Sequence, residues 1–137
     1  MSLTIEVKFY NVPQPQTYTI PWTAGMTIQQ AMEACFNQYS VPHAQHPFTF
    51  WIQYYGTYNT QFIGYMPIQV NGVQRSDQYI WFVYLNGVQT NNSLDAVPLN
   101  PADVIDFRYE AYGAEDEKNN SIYRAMRQAD EQRKAVS

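Results

Sequence analysis

The chain has 137 residues and a formal net charge of −4, with a single cysteine, Cys35. Its length is that of one domain, and such a domain buries roughly two-thirds of the surface its unfolded chain exposes, so it needs no covalent staple. The lone cysteine excludes an intrachain disulfide and any multi-cysteine metal centre within one chain. The acidic balance argues against nucleic acid as a partner, and no apolar run approaches the roughly 20 residues of a transmembrane helix.

Residues 4–10 alternate, Ile5, Val7 and Phe9 against Glu6 and Lys8, which predicts a half-buried strand. No signal-peptide pattern precedes it, which leaves the compartment open. Val12-Pro13-Gln14-Pro15 reads as a turn, and Thr17 to Trp22 returns as a second strand. Thr27 with Gln30 fits a capping box at the start of a helix. Ile28, Ala31, Met32, Cys35, Phe36 and Tyr39 form its apolar stripe, and Pro42 lies beyond its end.

Phe48 to Tyr55 is an aromatic strand with Phe48, Phe50, Ile52 and Tyr54 on one face and Thr49, Trp51, Gln53 and Tyr55 on the other. Phe62 to Met66 is expected as a short strand, and Ile68 to Gly72 ends in a turn signal. Tyr79 to Leu85 is apolar on both faces, as a central strand requires. Asn86-Gly87 ends it, 94–103 reads as a loop, and Val104 to Ala111 is the last strand. There Ile105, Phe107 and Tyr109 point inward, while Asp106, Arg108 and Glu110 point to solvent. A hairpin, a helix and then further strands predict an α+β, β-grasp-like mixed sheet with one helix packed across it, plus a C-terminal helix. The division is a body at 1–113 and a charged helical tail at 114–137. Residues 115–137 hold 5 basic and 5 acidic residues, so the body carries the whole net charge. Ile122, Met126 and Ala129 draw only a thin apolar line along the tail. Weak packing on its own domain, self-association and fraying all fit such a helix.

From Gly56 to Tyr112 the order of motifs is informative. Gly56-Thr57-Tyr58, Phe62-Ile63 and Val70-Asn71-Gly72 precede the strand Tyr79–Leu85 with its Asn86-Gly87 ending. Leu99-Asn100-Pro101-Ala102-Asp103 then leads into Val104–Glu110. Together with the helix start at Gly25-Met26-Thr27-Ile28, this resembles the domain of unknown function related to the C-terminal β-domain of transcobalamin and gastric intrinsic factor. The resemblance covers residues 4–112. It departs at Ala102, where the family usually has glycine, and at Phe107, where tryptophan is frequent. It implies a β-grasp-like fold, members that are often exported, and cobalamin as a ligand. It also matches Trp81 to the family's strand tryptophan, in the core or at the ligand edge.

The composition singles out one further feature. There are 12 Tyr, 7 Phe and 3 Trp, and residues 34–74 contain no Asp, Glu, Lys or Arg. Aromatic rings beside uncharged amides suit both a β-rich core and an adaptable binding surface. The candidate ligand-binding residues are Trp51, Gln53, Tyr55, Tyr58, Tyr65 and Trp81. Trp51 and Tyr55 form a platform if their strand face is open, and core if the 57–65 hairpin or the tail covers it. A sugar, a corrinoid or a peptide suits such a platform. His43 and His46 are weak metal-ligand candidates, short of the four ligands of a closed zinc site; either could also reach a corrinoid cobalt. No resident cofactor and no catalytic residue is expected. Cys35 lies on the helix stripe, and no nucleophile–base motif is present. The leading expectation is a non-catalytic small-molecule or carbohydrate-binding module. The alternative is an assembly module, a homo-oligomer joined through a strand edge or the C-terminal helix.

Overall fold

In the computed structural model, which describes residues 1–40 and 46–136, the alternation at the N-terminus produces the strand β1, Ser2–Phe9. It pairs antiparallel with β2, Gln16–Pro21, across the proline turn. Helix α1, Ile28–Tyr39, begins with the expected capping box. The Gln30 N–H donates to Thr27 Oγ1 at 3.3 Å, and the Thr27 N–H donates to Gln30 Oε1 at 3.0 Å. Two of the helix's orphan donors are thereby satisfied.

Strand β3, Phe50–Tyr54, follows, then the small hairpin β4, Thr57–Tyr58, and β5, Gln61–Phe62. Strand β6, Tyr65–Val70, turns at Asn71-Gly72 into β7, Val73–Gln74. Next come β8, Tyr79–Leu85, β9, Val88–Gln89, and β10, Val104–Ala111. The short strand expected at Phe62–Met66 is instead split. Gly64 sits at φ +72, and a Cβ there would collide with the Ser93 side chain. The chain therefore turns between β5 and β6, and the Ser93 hydroxyl accepts from the Tyr65 N–H at 2.8 Å.

The main sheet has the order β2-β1-β10-β8-β9, with β1 and β10 parallel and the other pairs antiparallel. A second sheet has the order β3-β6-β7. The fold is α+β with a mixed sheet, as expected. On one side Ile28, Ala31, Met32 and Cys35 of α1 pack with Leu3, Ile5, Val7, Ile105 and Phe107, and with Phe48 and Val70 from the second sheet. Strand β8 is apolar on both faces because both are covered. Trp81 and Val83 belong to this first core; Ile80 and Phe82 belong to another.

That other core is where the tail goes. The tail forms α2, Ala114–Asn119, and α3, Ser121–Val136. Tyr123, Ala125 and Met126 are buried with Ile63, Met66, Ile80 and Phe82, while Ile122 and Ala129 pack at the margin. The apolar line read from the sequence omitted Tyr123, whose hydroxyl disguises how deeply it sits. That hydroxyl accepts from the buried Val83 N–H at 3.1 Å. Asp130 extends the attachment, accepting from Tyr55 Oη at 2.8 Å and from Arg75 Nε at 3.1 Å. Of the three behaviours that fit the tail, packing on its own domain is the one observed.

One further expectation is corrected. Asp106 was placed in solvent by the strand pattern, yet it is only 4% exposed. Its Oδ2 accepts from Lys8 Nζ at 3.2 Å and from Arg108 Nη2 at 3.0 Å. Strand β10 is central, so long side chains from β1 and from β10 itself close over its outer face.

Candidate functional site

The six expected binding residues do not form one surface. Trp51 is 63% exposed on β3, but Tyr55 is buried beneath α3 through its bond to Asp130. Tyr58 is half-buried against the same second core. Gln53 lies on β3 opposite Met66 and is half-buried. Tyr65 packs against the first core with its ring 4.8 Å from that of Tyr54. Trp81 is 1% exposed, with its indole N–H donating to the Val73 carbonyl at 2.8 Å. The shared face of Trp51 and Tyr55 is thus covered at the Tyr55 end, and Trp51 is the ring that it leaves open. His43 lies outside the described residues. His46 is exposed. Among the described residues no group of three or more His, Cys, Asp or Glu side chains is placed to hold a metal.

What the structure does assemble is a pocket of about 320 Å³ beside the β6–β7 turn. Gln16 and Tyr18 of β2 form one wall, His46, Pro47 and Thr49 the approach to β3, and Asn71 and Gly72 the floor. Asn71 is the organiser. Asparagine tolerates the left-handed backbone that this turn needs, and Asn71 has φ +51. Its Nδ2 donates to Gln16 Oε1 at 2.6 Å and to Tyr18 Oη at 3.0 Å. Its Oδ1 accepts from the Thr49 N–H at 2.9 Å, and its own N–H donates to the Thr49 carbonyl at 2.8 Å. Tyr18 Oη donates in turn to the Pro47 carbonyl at 3.0 Å. Burial raises the Tyr18 phenol above its ordinary range, with the Asn71 hydrogen bond opposing, so the group is a neutral donor at physiological pH.

Among the described residues the lining contains no Asp, Glu, Lys or Arg. It presents carboxamide, hydroxyl and imidazole groups, of which the Gln16, Tyr18 and Asn71 side chains are already held by one another. Such a surface can hydrogen-bond an uncharged polar ligand without first ordering its own side chains. Cys35, the one thiol, is fully buried and its pKa is pushed far up by that burial.

No protein-family model and no curated protein sequence matches this chain. Solved structures do. Haptocorrin, of the transcobalamin family and solved in complex with Cbi, matches 82% of this chain with a TM-score of 0.64 and 12% sequence identity. The likeness is one of fold. The matched part is 25% of the haptocorrin chain, so this chain corresponds to a fraction of that protein. A protein from Ruminococcus gnavus ATCC 29149, described as a candidate metal binder, matches 82% of this chain and 98% of its own, with a TM-score of 0.60 and 14% identity. The transcobalamin-like resemblance read over residues 4–112 is therefore supported at the level of the fold.

Two features of the transcobalamin-like pattern gain a physical reason from the geometry. Asn71-Gly72 is the turn that shapes the pocket floor, with both residues at positive φ. Ala102 also sits at positive φ, +70, at the third place of the turn Asn100-Pro101-Ala102-Asp103, which the Asp103 N–H closes by donating to the Asn100 carbonyl at 3.2 Å. Proline second and positive φ third is the type II pattern, which favours the glycine that stands there in the family. The pocket residues Gln16, Tyr18 and Thr49 were not marked by the sequence. The uncharged 34–74 segment pointed to one wall of the pocket, but nothing in it announced that β2 would supply the other.

Proposed function

We propose that this chain is a non-catalytic ligand-binding module, and that the Asn71 pocket is its site for the amide-bearing edge of an uncharged ring ligand of the corrinoid kind. The observation that carries the reading is the hydrogen-bond web around Asn71, which fixes an uncharged, polar pocket of about 320 Å³ in advance of any ligand. Preformed pockets with a few convergent polar groups are the usual form of small-molecule sites. The fold likeness to haptocorrin, solved with Cbi, supports the ligand class. The parallel β1–β10 pair and the helix between the hairpin and the later strands support the β-grasp reading of the sheet.

The pocket is open and admits part of such a ligand, its amide arms. His46 on the rim brings an imidazole nitrogen, enough for a metal that the ligand itself already carries. Assembly through the apolar line of the tail would have to draw Met126 out of the second core.

The test is a thermal-shift screen of the full chain with cobinamide, cyanocobalamin, neutral oligosaccharides and zinc chloride. A ligand that binds the folded state raises Tm by mass action. The proposal expects cobinamide to raise Tm in the parent chain and to lose that effect in Gln16→Ala. No shift with either corrinoid at millimolar concentration would count against it.

A further inference from the structure

We propose a second binding site, for a neutral carbohydrate, in the groove between the β1–β2 connection and the outer face of β10. The groove has a volume of about 490 Å³, and its polar lining is balanced: Glu6 and Glu110 against Lys8 and Arg108. With Asp106 beneath them, the two acids and two bases leave no net attraction for a phosphate, while supplying acceptors and donors side by side. A hydroxyl is the group that meets both needs, because it donates and accepts at once.

One end of the groove is aromatic. Tyr10 lines it and is 58% exposed. One face of the Tyr10 ring stacks on Tyr79, with centroids 4.6 Å apart and planes at 17°. Tyr79 stacks on Tyr109 in turn, at 5.8 Å and 27°, and the Tyr109 hydroxyl donates to the Gln74 carbonyl at 3.0 Å. The Tyr10 ring is therefore held by a braced cluster and not left to swing in solvent. A rigid ring face bounded by paired donors and acceptors matches a sugar, which has an apolar C–H face and a rim of hydroxyls. A lipid would waste the charges, and a nucleotide would meet Glu6 and Glu110.

The second, independent observation lies beneath the charges. Asp106 Oδ1 and Arg108 Nε are buried without a hydrogen-bond partner among the described residues. Buried polar atoms are nearly always paired, so an unpaired acceptor and an unpaired donor on neighbouring side chains call for an explanation. Lys8 and Arg108, which both bond Asp106 Oδ2, also line the groove. A ligand hydroxyl that displaced the Lys8 side chain would meet an acceptor and a donor that are still unpaired.

The experiment is a binding screen of the full chain on an array of neutral oligosaccharides, followed by calorimetry with the strongest binder. Tyr10→Ala and Glu110→Gln are each expected to weaken binding at least ten-fold with the fold retained, and Gln16→Ala is expected to leave it unchanged. Should Tyr10→Ala unfold, Glu110→Gln decides alone, since it keeps the shape while replacing the charge and one acceptor oxygen with an N–H donor. Absence of binding at millimolar sugar overturns the site, as does binding that neither variant weakens. Binding lost in Gln16→Ala instead would place the sugar in the Asn71 pocket and overturn this site while leaving that one standing.

Discussion

Asn71 holds its pocket through its backbone as much as through its side chain. The two roles separate by substitution. Asn71→Gly keeps the left-handed turn but deletes three side-chain hydrogen bonds, and is expected to lower the unfolding free energy by about 2 kcal/mol. Asn71→Ala adds the strain of an alanine at φ +51, about 1 kcal/mol more. Denaturant melts of the two variants check the order, and equal losses would mean that the turn is not the organiser. At Ala102 the same reasoning runs the other way. Ala102→Gly is expected to raise stability by up to about 1 kcal/mol, because relief of strain at φ +70 outweighs the added freedom of the unfolded chain. A loss of stability there would contradict the type II assignment. Tyr123→Phe leaves the Val83 N–H buried without its acceptor and is expected to cost about 1–2 kcal/mol, although the ring is kept.

At the scale of elements, local signals served where one element decided its own fate. The capping box at Thr27 and Gln30, the doubly apolar β8 and the alternating β10 all lie where their residues place them. Those signals are local hydrogen bonds and side-chain periods. The candidate site was less legible because it depends on long-range contacts. Whether Tyr55 is platform or core is settled by Asp130, 75 residues later, and the pocket opposite Asn71 is closed by Gln16, 55 residues earlier. The burial of Asp106 likewise depends on Lys8 from β1, 98 residues away in sequence.

Helix α3 belongs to the folding unit by the same argument. Arg75→Met leaves Asp130 buried without its cation and is expected to cost about 3 kcal/mol. Adding Asp130→Asn should recover part of that loss, because it removes the buried charge and keeps a partner for Tyr55. Removal of residues 114–137 is expected to abolish cooperative unfolding, since it bares Ile80, Phe82 and Met66. A truncated chain melting at the parent Tm would show that α3 only rests on the surface.

Across the whole molecule, burial gives a testable response to alkali. It raises the phenols of Tyr55 and Tyr123 and the thiol of Cys35 above their ordinary values. Each group therefore keeps its proton in the folded chain after the unfolded chain has released it. That difference is absent below about pH 8.5 for the thiol and about pH 10 for the phenols. Above those values the unfolded state binds fewer protons than the native one, so stability falls as pH rises. Thermal melts should show Tm declining from about pH 9 upward, more steeply beyond about pH 10; a Tm that rises across that interval would contradict the burial of these groups.

The functional account rests on a preformed, uncharged pocket set in a fold shared with part of haptocorrin. The most direct measurement is an equilibrium titration of the full chain with cobinamide, followed by its visible absorption, alongside Gln16→Ala and His46→Ala. Gln16 and His46 are both exposed and line the pocket, so both variants should keep the fold, Gln16→Ala at the cost of the one hydrogen bond from Asn71. Saturable binding to the parent chain, weakened at least ten-fold by Gln16→Ala with the fold retained, is the expected result. A parent chain that leaves the cobinamide spectrum and its dialysis equilibrium unaltered at millimolar concentration would contradict the account.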